Sequence, residues 1–172
     1  MNLQSSDFEL FELPVTFKQD RSGIDARWKE LQRQAHPDKF AAQGAAAQRI
    51  AMQYSVRINE GYQRLKDPVR RAAYLCELHG AAINAERNTA MPPEFLMEQI
   101  EWRELLDEAS NIDDLEKIQA MSASYGHSAL LKCEQLIDVD KNFAAAAQQV
   151  RVLLFIDKFN HDLDARFEQL GQ

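Results

Sequence analysis

Residues 24–40 read IDARWKELQRQAHPDKF, and their spacing decides the fold of the first part of the chain. Ile24, Trp28, Leu31 and Ala35 step by four, three and four residues, so they line one face of a helix. Pro37 ends that helix. The residue before a proline is pushed out of α geometry, which places His36 at the helix end and Asp38 in an exposed turn. With Ile24 and Leu31 facing a core, Lys29 and Arg33 point the other way and Lys39 follows the turn, giving a small cationic face that ends at a carboxylate. Phe40 to Ala47 reads as a loop around Gly44, after which Ala47, Ala51, Tyr54, Ile58, Tyr62 and Leu65 again share one face. The two series imply an antiparallel helical hairpin.

Working outward, Ser5, Ser6 and Asp7 are candidate caps for a short helix carrying Phe8, Leu10 and Phe11, stopped by Pro14. Asp67-Pro68 reads as an N-cap followed by proline in the first helical position, opening a short helix that Gly80 closes. Residues 81–93, AAINAERNTAMPP, lose the periodicity and are expected to link residues 1–80 to a second domain, 94–172. Three helices are expected there, near 94–109, 112–137 and 141–169, with Ser110 or Asn111 capping the second and Asp138 or Asp140 the third. With only 6 Gly and 5 Pro in 172 residues, the fold class is all-α, ending in a three-helix bundle.

Charge divides the chain: residues 1–80 hold 12 Lys and Arg against 10 Asp and Glu, and residues 81–172 hold 8 against 17. A carboxylate excess argues against phosphate-backbone binding by the second part, and although a basic face on the first part stays open, no nucleic acid is expected as partner. Cys76 and Cys133 fit no metal spacing and read as reduced, buried thiols. The first residues, MNLQSSDFELFEL, lack the pattern of a secretory or transit signal, and no apolar run reaches the ~20 residues that cross a bilayer. A cytoplasmic location away from membranes is the expectation. His36 and Asp38 could be imagined as an acid and a base, yet no nucleophile or metal set accompanies them, and His79, His127 and His161 share no ligand spacing. Neither enzymatic activity nor a cofactor is expected.

The helix near 94–109 has two apolar sides. Phe95, Trp102, Leu105, Leu106 and Ala109 cluster on one, which suits packing. Leu96, Met97 and Ile100 lie opposite, in a stripe continued by Glu101, Glu104 and Glu108. A surface helix of a bundle needs one apolar stripe only. The second either packs beneath another part of the chain or forms a binding surface whose carboxylates select a basic partner. In the last helix Phe155 lies off the stripe formed by Phe143, Ala147, Val150 and Leu154, which is compatible with exposure.

LQRQAHPDKF resembles a J-domain, and INEGYQRLKDPVRRAAYL resembles the third and fourth helices of the same family. FLMEQIEWRELLDE is similar to the cargo-binding helix of the HscB family, J-domain co-chaperones of bacterial iron–sulfur cluster assembly, so the resemblance runs from about Phe8 to the end. It implies that helix 24–35 and the turn dock on a DnaK/HscA-type heat-shock ATPase chaperone. Asp38 would engage a partner arginine, Lys29, Arg33 and Lys39 would steer the approach, Pro37 would fix the turn and His36 brace it. It also implies that Leu96, Met97, Ile100 and Phe155, flanked by Glu101, Glu104 and Glu108, bind the iron–sulfur scaffold protein IscU. The alternative within the same class is a general J-domain protein delivering unfolded clients, but the glycine-rich linkers and zinc-bearing cysteine modules usual there are absent. Two departures stand out: this chain has Ala35 where many J-domains carry Tyr, which removes aromatic packing beside the turn, and Gly61 where many carry Ala, which is expected to weaken a helix by about 1 kcal/mol.

Overall fold

A computed structural model describes residues 2–171, and they fall into two compact units, the first running to Leu75 and the second starting at Cys76. The helices are α1 Asp7–Leu10, α2 Arg21–Ala35, α3 Ala45–Lys66, α4 Pro68–Leu78, α5 Pro93–Glu108, α6 Ile112–Glu134 and α7 Phe143–Leu170. No strand occurs among the described residues.

In the first unit α2 and α3 pack against each other through Ile24, Leu31, Ala35, Ala51, Ile58 and Leu65, all buried as the two periodic series require. Trp28 stacks on Tyr62 with ring centroids 4.6 Å apart, and its indole N–H donates to Asn59 Oδ1 at 2.9 Å. Ser6 caps α1 in a capping box with Glu9. Asp7 does not cap: its side chain is fully buried and accepts from Arg57 Nη1 at 2.6 Å and from Arg64 Nε and Nη2 at 2.5 and 2.9 Å. This ionic knot fastens α1 to α3, and Gly61 makes room for it. A Cβ at position 61 would lie 3.1 Å from the Phe11 ring, 3.2 Å from Asp7 Oδ1 and 3.3 Å from Arg57 Nη1. The expected loop from Phe40 is instead largely a 3-10 helical turn, Pro37–Gln43, because proline at its first position presets φ and the His36 side chain caps it. Gly44, at φ 98°, then re-aims the chain into α3.

Asp67 caps α4 as expected, accepting from Val69 N–H at 2.9 Å, and Gly80, at φ 81°, lies just beyond the helix end. The units divide inside this helix, between Leu75 and Cys76, and residues 81–93 belong to the second unit.

The second unit is built on α5, α6 and α7, and Asn111 caps α6. The third cap differs from expectation. The end of α6 widens into a π-helical turn, Gln135–Val139, which takes up Asp138, and Asn142 caps α7 by accepting from Ala145 N–H at 3.1 Å. The core holds Phe95, Trp102, Leu106, Leu115, Ile118, Val150, Ile156, Phe159 and Leu163. Two residues assigned inward on pattern face solvent, Leu105 and Leu154. Leu105 lies at the margin of its stripe, whereas Leu154 lies mid-stripe but falls where the buried side of α7 has passed to Val152, Ile156, Phe159 and Leu163, nearly opposite at about 100° per residue. No described helix is long and apolar enough to cross a membrane.

Candidate functional site

The His-Pro-Asp turn is held by its own backbone. His36 leaves α2 at φ −62°, ψ 127°, the extended geometry a following proline demands. Its carbonyl accepts from Lys39 N–H at 3.0 Å, and its Nδ1 accepts from Asp38 N–H at 3.2 Å. Nδ1 also lies 3.7 Å from Asp38 Oδ2, a separation that would be an ion pair only with a proton on Nδ1. A nitrogen that accepts an amide proton carries none, so the hydrogen bond is the operative contact. The Asp38 side chain, 91% exposed, is presented outward.

Lys29, Arg33 and Lys39 are all exposed, but the cationic face is weaker than composition suggests. Arg33 forms a fork with Glu30, with Nη2 at 2.8 and 2.9 Å from the two carboxylate oxygens. The Arg33 guanidinium, helped by the Gln34 amide, holds the Glu30 carboxyl below the usual range, so Glu30 is ionised and offsets one of the three cations. Behind the turn Gln34, Ala35, Phe40, Ala47, Ala51 and Tyr54 line an open cleft of about 420 Å³.

In the second unit the two sides of α5 separate cleanly. Phe95 and Trp102 are fully buried in an aromatic cluster with Tyr125, Phe155 and Phe159, their own rings meeting edge-to-face at 5.7 Å. Leu96, Met97 and Ile100 are 46%, 75% and 64% exposed, and Glu101, Glu104 and Glu108 are exposed beyond them. Phe155 is half-buried, not free: its ring lies 5.5 Å from Phe95 and 6.2 Å from Phe159, and the Arg103 guanidinium sits 5.7 Å from its centroid. Arg103 is itself held by Asp162 at 2.5 Å. Arg103 was legible only as a surface charge, because its partner is 59 residues away. The ridge thus runs from apolar at the start of α5 to anionic at its end, with Phe155 beside its first turn.

Burial raises the Cys76 thiol to about 11 and the Cys133 thiol to about 12, which makes both poor nucleophiles. No group of three or more His, Cys, Asp or Glu side chains among the described residues is placed to hold a metal ion.

An exposed His-Pro-Asp turn between paired helices, followed by a helical bundle, defines a J-domain co-chaperone. Residues 91–164 match the family model described as the HSCB C-terminal oligomerisation domain. Over 173 aligned residues the chain is 42% identical to the Co-chaperone protein HscB homolog of Burkholderia mallei, covering 99% of this chain and 98% of the relative. The corresponding protein of Burkholderia multivorans is 43% identical over the same shares. Chaperone HscB from Vibrio cholerae superimposes with a TM-score of 0.85 at 37% identity, covering 96% of this chain and 99% of that one. Human co-chaperone protein HscB shares the fold, with a TM-score of 0.88 at 22% identity, covering 96% and 84%. The chain belongs to the HscB co-chaperone family.

Proposed function

We propose that this chain stimulates the ATPase of a DnaK/HscA-type chaperone through His36, Pro37 and Asp38, with Lys29, Arg33 and Lys39 steering, and delivers the scaffold protein IscU to it for iron–sulfur cluster transfer. The scaffold is held by Leu96, Met97 and Ile100, flanked by Glu101, Glu104, Glu108 and the accessible edge of Phe155. Residues 1–80 act as the J-domain and 94–172 as the cargo domain, in the cytoplasm, with ATP hydrolysis taking place in the partner. One observation carries the reading: an outward carboxylate on one unit and an exposed apolar ridge with an anionic end on the other. An exposed apolar patch rimmed by charge is the common form of a protein-binding surface, and its carboxylates favour a basic partner.

The test of the first surface is steady-state ATP turnover by the chaperone. Asp38→Ala should reduce stimulation by about tenfold or more, the loss of one charged contact at an interface centre. Helicity should be unchanged, since the side chain touches no core residue. Full stimulation by Asp38→Ala would refute the role of the turn.

A further inference from the structure

The double apolar character of α5 poses a problem of specification. If Phe95, Trp102 and Leu106 face inward, Leu96, Met97 and Ile100 face water, yet a helix apolar on both sides gains hydrophobic burial whichever side it turns in. Side-chain pattern alone leaves its rotation weakly determined.

The backbone leading into α5 is where the ambiguity is resolved. Residues 81–92 form an irregular connection, and the side chain of Arg151, on α7, is buried against it with only 6% of the residue exposed. Arg151 Nε donates to the carbonyl of Ile83 and Nη1 to the carbonyl of Ala90, each at 3.1 Å. The two acceptors stand seven residues apart, so one planar fork draws both ends of the connection onto α7. Two residues past Ala90, the Pro92 carbonyl accepts from Phe95 N–H at 2.9 Å and begins α5. Gln99, nearly two turns into the helix, reaches back to Met91 Sδ at 2.9 Å. The fork therefore fixes the backbone immediately before the first turn of α5. A buried cation is costly, and its best-attested return is conformational uniqueness.

We propose that Arg151 is a positioning residue that sets the rotation of α5, keeping Leu96, Met97 and Ile100 outward and Trp102 inward. The claim concerns the helix and stands apart from what the ridge binds. Its consequence for cargo rests on the reading given above.

The test uses the full chain carrying Trp28→Phe, which leaves Trp102 as its one tryptophan. Arg151→Met keeps volume and removes the donors; should it fail to fold, Arg151→Lys retains the charge on a single donor centre that does not span both carbonyls. Acrylamide quenching of Trp102 should rise at least about twofold, and tryptic cleavage after the exposed Arg87 should quicken about tenfold, as local opening of a tethered loop predicts. Ser122→Ala, which loses a 2.8 Å hydrogen bond to Asn160 elsewhere in the same unit, serves as the control. Its global stability should fall while both readouts stay at wild-type values. Unchanged quenching and unchanged cleavage in Arg151→Met or Arg151→Lys would overturn the proposal, as would equal changes in the Ser122→Ala control. Altered quenching and cleavage with undiminished scaffold binding would uphold the clamp and sink the assignment of the ridge to cargo.

Discussion

At Gly61 two opposing effects meet. Alanine would gain about 1 kcal/mol of helix propensity, but its Cβ would sit within 3.1–3.3 Å of Phe11, Asp7 and Arg57. Phe11 and Asp7 are fully buried, and Asp7 is gripped by two guanidinium groups, so neither has room to retreat. Crowding wins. Gly61→Ala should destabilise the protein by about 1 kcal/mol in urea titration, and a stabilised variant would show that the knot yields. Asp7→Ala should cost more, about 3–5 kcal/mol, because it strands two partly buried cations. Neither effect was readable in the sequence. Asp7 beside Ser5 and Ser6 reads as a cap, and its arginines are 50 and 57 residues away. The absence of an aromatic at position 35, by contrast, was visible in the sequence, and Ala35 is one of the residues lining the cleft behind the turn.

At the scale of the element, α5 shows what periodicity reveals and what it omits. The two stripes were legible because spacing of three and four residues fixes which side chains share a side. Whether the second stripe is covered or exposed was not, since apolar residues suit either fate; its exposure rests on the first stripe's aromatic packing with α6 and α7 and on a guanidinium far along the chain. Two positions were misread: Leu105 is apolar but lies just past the covered arc, and Leu154 lies where the covered side of α7 has changed from that of Ala147 and Val150 to that of Ile156, Phe159 and Leu163. Leu96→Ala with Met97→Ala should therefore leave the melting temperature nearly unchanged, because exposed substitutions usually shift stability by less than about 0.5 kcal/mol. Trp102→Ala should cost about 3–5 kcal/mol. A calorimetric scan of the three proteins separates these outcomes, and a large loss in the Leu96/Met97 variant would mean that this stripe is part of the core.

For the whole molecule, the buried thiols set an alkaline limit on stability. Folding raises Cys76 from 9.0 to about 11 and Cys133 from 9.0 to about 12, chiefly through burial. Both groups hold their protons more tightly folded than unfolded, so their contribution is complete below pH 9. It is lost as pH rises through 11 and 12. At pH 10 the loss should be roughly 1 kcal/mol for each thiol. Urea midpoints at pH 8 and 10 should therefore differ less for a Cys76→Ala, Cys133→Ala protein than for the wild type, even though the variant starts lower from the cavities it creates. Equal pH dependence in the two proteins would assign the alkaline loss to other groups.

The proposed division of labour between the units rests on where each surface stands: Asp38 at a turn of the first, and the exposed Leu96, Met97 and Ile100 ridge on a helix in the second. The decisive measurement is chaperone ATP turnover against co-chaperone concentration, with and without scaffold, for wild type, Asp38→Ala and Leu96→Ala/Met97→Ala. Asp38→Ala should fail to stimulate in both conditions while binding scaffold with unchanged affinity. The Leu96/Met97 protein should stimulate the chaperone alone as wild type does and lose only the increment that scaffold adds. Parallel loss of both activities in either variant would contradict the separation of the two surfaces.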